Sequence, residues 1–324
     1  MLYSNSLKLK DNMINIEDFI KNLEKLSING KQVDIDSVYI EQNGHLSKHY
    51  FNTEQLHRIR SCSKLLVAMA VGLAIEQRLL VNNKPITLDT KVYPIIKGLV
   101  NITNKENLKK IEEWTIKNLL THTTGYEEQM MSERFIQNID KEKLLEYALN
   151  FELPYEVGNR FAYNNVEPFL IAVLFKEAFN IDLDMFIEEQ IFSKLDISEF
   201  LWGKYGKYCM ASTGLSLTHL DFHKIGQLLL YCGRYNGNQI IPEKWIHEMC
   251  SLKIKTPDYY KPERVLPKIG VGYFSFISRD GYVFRDGSDG QYIIINKSQN
   301  LLITILSSEP NMPLVTETLR GLIL

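Results

Sequence analysis

Cysteine is scarce in this 324-residue chain: only Cys62, Cys209, Cys232 and Cys250 occur, with neither a Cys-x-x-Cys pair nor metal-ligand spacing. No disulfide framework is expected, and the four read as buried thiols of a reducing compartment. Neither sign of charge dominates, with 37 basic against 39 acidic residues, so the chain lacks the electrostatic footprint of a nucleic-acid or anionic-membrane binder. Long hydrophobic runs are missing too. The longest, Leu65 to Ile75, falls short of the roughly 20 residues that span a bilayer. The first fifteen residues lack the apolar core of a signal peptide, which predicts a cytoplasmic protein. There is no internal repeat, low-complexity tract or Pro/Ser-rich linker.

What is present is core-forming material, 45% hydrophobic and 23% charged residues, enough for one large or two modest globular domains. Ile16 to Leu26 carries apolar residues at helical spacing. Ser37 to Glu41 and His45 to Asn52 flank Asn43-Gly44, a strong hairpin signal. Leu65 to Leu80 is apolar almost all round, as a central buried helix would be. From Val81 to Ser216 the pattern is helical or irregular, with helices expected at Ile116 to Leu120, Lys141 to Asn150, Glu167 to Phe179 and Leu183 to Lys194, and no strand-rich stretch. Thr218 reads as the N-cap of a helix reaching about Tyr231, and another helix follows at Pro242 to Cys250. Alternation then returns in Val271 to Ser278, Tyr282 to Arg285, Tyr292 to Asn296 and Leu301 to Ser307, before a closing helix at Pro313 to Leu324. Strands at both ends with helices between imply an α+β fold. Its antiparallel sheet would be built from both termini, residues 1–80 and 217–324, with 81–216 inserted as a helical lobe and the active site in the cleft between.

Three short patterns could carry chemistry. In Ser61-Cys62-Ser63-Lys64, Ser61 is the one serine with lysine at i+3, a spacing that puts hydroxyl and amine on one helix face. Such a lysine serves as a base only if its pKa falls well below about 10.4, and burial ahead of an apolar helix provides that. Tyr163-Asn164-Asn165 supplies a phenol able to relay a proton and amides able to hold a carbonyl. Arg285-Asp286-Gly287-Ser288-Asp289-Gly290 ends a strand with a glycine-flanked edge that lets a substrate approach the backbone.

In order and spacing these patterns resemble the three signatures of the serine β-lactamase and penicillin-binding-protein family, with the flavour of its class C branch and related esterases. Asn118-Leu119-Leu120-Thr121-His122-Thr123-Thr124-Gly125 is similar to the family's Leu-Leu-Thr-His-Thr-Ser-Gly stretch. The resemblance implies a β-lactamase/DD-peptidase-like fold with Ser61 as nucleophile, Lys64 as its base and Tyr163 in proton transfer to the leaving group. It further implies that Asn165 holds the substrate and that the backbone N–H groups of Ser61 and Ser288 form an oxyanion hole. The third signature departs from the family's Lys or His, Thr or Ser, Gly: Arg285 keeps a positive charge, but Asp286 replaces a hydroxyl with an anion, which argues against efficient β-lactam hydrolysis. Arg285, Asp286, Gly287 and Ser288 remain the expected substrate-binding strand edge.

The expected activity is hydrolysis of a small-molecule ester, amide or peptide-like substrate through an acyl-enzyme. The alternatives are acyl transfer to an acceptor other than water, or a binding module whose site has lost turnover. No cofactor or metal is expected. His219 and His223 lie four apart but without the Glu of a His-Glu-x-x-His motif. Ser288 lacks the first glycine of a Gly-x-Ser-x-Gly elbow. His122 reads as fixing a loop, and Cys62 and Ser63 as packed side chains. Oligomeric state is not legible.

Overall fold

A computed structural model describes Ile14, Leu266 and residues 16–28, 31–127, 129–256, 268–309 and 312–323. Most of the first fifteen residues and of the loop from Lys255 to Lys268 lie outside these. The central feature is an eight-stranded antiparallel sheet: β1 (Ile35–Gln42), β2 (His45–Tyr50), β3 (Ile254–Lys255), β4 (Lys268–Val271), β5 (Phe276–Ser278), β6 (Val283–Asp286), β7 (Tyr292–Asn296) and β8 (Leu301–Ser307). Their spatial order is β3-β4-β5-β6-β7-β8-β1-β2. The amino-terminal hairpin therefore docks on the last strand, Ile303 opposite Ile40. Asn43 and Gly44 turn that hairpin with φ of 53° and 78°, the paired left-handed conformations of a tight two-residue loop.

Six helices matter for the site: α1 (Ile16–Glu24), α2 (Lys64–Glu76), α3 (Val166–Phe179), α4 (His219–Leu230), α5 (Glu243–Met249) and α6 (Met312–Ile323). The pleat sorts the sheet's side chains. Tyr292, Ile294, Ile303 and Ile305 share a core with Phe19 and Leu23 of α1 and Val315 and Leu319 of α6. Ile293, Ile295 and Leu302 point the other way, into the core that holds α2, α3 and α4. Both faces are covered, which is why β7 and β8 read as continuous apolar runs. Helices α2 and α3 are buried nearly all round, consistent with their lack of a polar face.

Local signals account for most boundaries. The Thr218 hydroxyl accepts from Asp221 N–H, capping α4. The segment Val271 to Ser278 is broken after Val271, where Phe274 takes φ 54° and its N–H bonds to Leu120 O at 3.0 Å. The inserted region also holds short ladders: Leu80–Val81 pairs with Lys84–Pro85, Lys204–Tyr205 with Tyr208–Cys209, and Leu201–Trp202 with Leu215–Leu217. Strands of two or three residues are too short for alternation to show. A helix at Lys105–Glu113 was also not foreseen; it buries little beyond Asn107 and Ile111, and its signal is Asn104, whose side chain caps Glu106 and Asn107 N–H. No helix among the described residues is long and apolar enough to cross a membrane.

Candidate active site

Ser61 sits in a 3₁₀ turn, Arg60–Ser63, that runs directly into α2. The chain enters this turn from the pairing of His57–Arg58 with Leu215–Leu217, through Arg60 at φ 49°. A non-glycine residue holds that conformation only where its surroundings enforce it. Here the Arg60 guanidinium lies 2.7 Å from Asp289, tying the Ser61 turn to the Arg285–Gly290 loop. Ser63 turns away, donating to Ala211 O at 2.9 Å, and Cys62 is fully buried.

Lys64 is fully buried and its Nζ has three partners: Ser61 Oγ at 3.1 Å, Asn165 Oδ1 at 2.8 Å and the Ser212 carbonyl at 2.9 Å. Two of these, the amide oxygen and the carbonyl, can only accept. They fix two amine hydrogens and leave the third position, aimed at Ser61 Oγ, to hold either a hydrogen or a lone pair. Burial, aided by the Arg285 charge, lowers the Lys64 pKa to about 8. The neutral amine is thus accessible near neutral pH, with its lone pair directed at the serine.

Tyr163 OH lies 2.8 Å from Ser61 Oγ. Burial pushes its pKa up, but the Arg285 and Lys64 charges and hydrogen bonds with Lys64 and Ser61 outweigh this and bring it to about 8. Lys64 and Tyr163 titrate together as one coupled pair. Asn165 occupies the N-cap position of α3, yet its side chain caps nothing. It accepts from Lys64 and donates to Met131 O at 3.2 Å, while its neighbour Asn164 bonds Val166 N–H at 2.9 Å.

Arg285 is fully buried at the end of β6, donating from Nε to Ser61 O at 3.1 Å and from Nη2 to Tyr163 OH at 3.0 Å. Its buried Nη1 has no partner among the described residues. Asp286 is 1% exposed, and its charge joins burial in raising the Cys62 thiol. Gly287 makes the close approach possible: a Cβ there would fall 2.2 Å from Gln291 Oε1 and 2.8 Å from Arg60 Cβ. Ser288 is exposed. Two cations beside the Ser61–Tyr163 pair favour an anion there over a metal ion.

A family model described as Beta-lactamase matches residues 38–322. The chain belongs to this family. Solved structures agree in fold at low identity. The octameric penicillin-binding protein homologue from Pyrococcus abyssi aligns with TM-score 0.71 and 18% identity over 95% of this chain and 75% of its own. EstCE1, a hydrolase with promiscuous acyltransferase activity, gives 0.72 and 13% over 94% and 98%. Unliganded simvastatin synthase from Aspergillus terreus gives 0.72 and 13% over 95% and 96%. No curated protein matches the chain.

Within this β-lactamase-family fold, the stretch containing His122 supports the tyrosine motif from behind. Glu167, fully buried, takes His122 Nδ1 at 3.1 Å, Thr124 Oγ1 at 2.7 Å and Asn164 Nδ2 at 2.8 Å. Glu167 escaped sequence reasoning because a glutamate in an apolar helix has no motif to mark it. Ser212 and Met131 escaped because they contribute backbone carbonyls, which every residue type supplies; Ala211 at φ 57° and Met131 at φ 54° show the strained turns that aim them. His219 and His223 lie elsewhere, bonded to Thr304 at 2.9 and 2.8 Å, with Glu41 on His223 at 3.0 Å.

Proposed function

We propose that the protein is a serine hydrolase cleaving a carboxylic ester or amide through an acyl-enzyme on Ser61. The observation that carries this reading is the convergence of Lys64 Nζ and Tyr163 OH on Ser61 Oγ, at 3.1 and 2.8 Å. In the proposed sequence the neutral Lys64 amine takes the Ser61 proton as Oγ attacks the substrate carbonyl carbon. The developing oxyanion accepts from the backbone N–H groups of Ser61 and Ser288, neither of which bonds another backbone carbonyl among the described residues. Tyr163 passes a proton to the departing alcohol or amine and is reprotonated from Lys64, which closes the proton balance. Water then attacks the ester carbonyl of the acyl-enzyme, with the same pair as base, and Ser61 Oγ leaves with the proton.

Asn165 is the substrate-facing polar side chain of this scheme, with the buried Arg285 supplying positive charge behind the Ser61–Tyr163 pair. Asp286 leaves the third signature without a hydroxyl donor, which supports small ester, amide or peptide-like substrates over β-lactams. The sheet carrying residues 283–307 and the helices of 81–216 form the two lobes in this reading, with Ser61 between them. The four free thiols support a reducing, cytoplasmic compartment.

A second reading, acyl transfer, is favoured by one feature: the base for deacylation is the pair that protonates the leaving group, so any hydroxyl or amine reaching it competes with water. The fold likeness to EstCE1 and to simvastatin synthase is compatible with this. The test is intact mass after brief exposure to an activated short-chain ester, with product release followed in parallel. An adduct or turnover in the wild type, absent in Ser61→Ala and Lys64→Ala, is expected, and added alcohol should divert product in proportion to transfer. Unchanged turnover by Ser61→Ala would overturn the assignment.

A further inference from the structure

A second cluster of reactive side chains lies outside the Ser61 site and takes no part in that reaction. Cys232 follows α4 in a left-handed turn, φ 52°, and Glu243 and His247 stand one turn apart on α5. One ligand atom from each, the Cys232 sulfur, a Glu243 carboxylate oxygen and a His247 ring nitrogen, lie within 4.8 Å of one another. His247 Nε2 is 4.0 Å from Cys232 Sγ and 3.6 Å from Glu243 Oε1. Around a tetrahedral zinc ion at ordinary bond lengths the corresponding edges are about 3.5 and about 3.3 Å. These two edges thus stand within about half an ångström of a coordinating arrangement before any ion binds, and the third is no longer than 4.8 Å.

We infer that Cys232, Glu243 and His247 form a binding site for a zinc-class divalent cation, with water in the fourth position. Thiolate, imidazole and carboxylate together suit zinc and not calcium or magnesium, which take all-oxygen shells. Glu243 and His247 have half their side-chain surface exposed, 55% and 59%, so an ion and its water can enter. Binding releases the Cys232 thiol proton to solvent, and thiolate and carboxylate then balance the dication. Lys297 Nζ donates to Cys232 Sγ at 3.3 Å, a contact that would remain as an outer N–H···S bond once metal is bound. The ion would clip the turn after α4 to α5. That helix buries Trp245, whose Nε1 donates to Ala68 O of α2 at 2.9 Å, so the clip would brace the helix behind the nucleophile.

The test is zinc titration of full-length, chelator-stripped protein at neutral pH against a chromophoric competitor, with cobalt(II) as the spectroscopic probe. One equivalent is expected. Cys232→Ser and His247→Ala should each weaken binding by at least the 10–100-fold that loss of an outer partner costs, whereas Ser61→Ala should bind as the wild type does. Cobalt-loaded wild type should show a near-ultraviolet thiolate-to-metal band that Cys232→Ser lacks. Absence of zinc binding at micromolar concentration, equal binding by all variants, or a cobalt band that survives in Cys232→Ser would each overturn the assignment.

Discussion

Replacing Arg285 with methionine should move the pH dependence of the reaction upward. Arg285 donates to the Tyr163 phenol at 3.0 Å and lies 5.0 Å from its ring centroid. Burial alone would raise Tyr163; Arg285 leads the charges that bring it instead to about 8 from 10. That difference is worth about 3 kcal/mol. Lys64 responds in the same direction, since burial and then the Arg285 charge keep it near 8. With the pair at about 8, roughly a tenth of the enzyme carries the free base at pH 7, and activity climbs as pH rises through 8. Burial, the larger cause for Lys64, survives the substitution, so only part of the shift is lost; a rise of about one unit cuts that fraction to roughly a hundredth, so kcat/KM at pH 7 should drop by about 10-fold and recover at high pH. The assay is the pH profile of kcat/KM for an activated ester, with Arg285→Lys as the variant that keeps the charge. Thermal unfolding monitors the fold, and methionine fills the buried site without stranding an ion. An ascending limb that stays near 8 in Arg285→Met would refute the electrostatic role argued for Arg285.

Two further outcomes follow from particular contacts. Gly287→Ala forces a Cβ to within 2.8 Å of Arg60 Cβ, displacing the strand edge that presents the Ser288 N–H. Acylation, read by intact mass, should slow by about 100-fold, the scale of losing an oxyanion donor, while far-ultraviolet circular dichroism stays unchanged; a wild-type acylation rate would remove Gly287 and its neighbour from the site. Glu41 tests stability: burial raises its carboxyl, but hydrogen bonds from His223, Tyr231 and Gln227 outweigh this and lower it from 4.5 to about 2. Its contribution, about 3 kcal/mol, is complete above the unfolded value and is lost as pH falls from about 4.5 toward 2. Glu41→Gln should therefore flatten the fall in stability across that window in denaturant melts, and an unchanged slope would show that the carboxylate is not what fails in acid.

The sequence by itself determined the parts of this protein whose cause is local. Ser61 and Lys64 share a helix face because of their spacing. The hairpin at Asn43-Gly44 follows from backbone freedom, β7 and β8 from β-rich apolar runs, and α4 from the Thr218 cap. The three signatures, each a side-chain pattern, were legible for the same reason and pointed to the family. Tertiary structure alone decided the rest. Whether Asn165 capped a helix or faced the lysine depended on a segment 101 residues away, beyond any local signal. The acceptors that orient Lys64 and Asn165 are carbonyls of Ser212 and Met131, and a carbonyl's aim is set by backbone torsions that residue type does not encode. The shifts of Lys64 and Tyr163 arise from burial and from Arg285, brought across 122 positions by the sheet. The gathering of Cys232, Glu243 and His247 likewise depends on how the end of α4 packs beside α5, because charge and coordination act through space while sequence spacing records only distance along the chain.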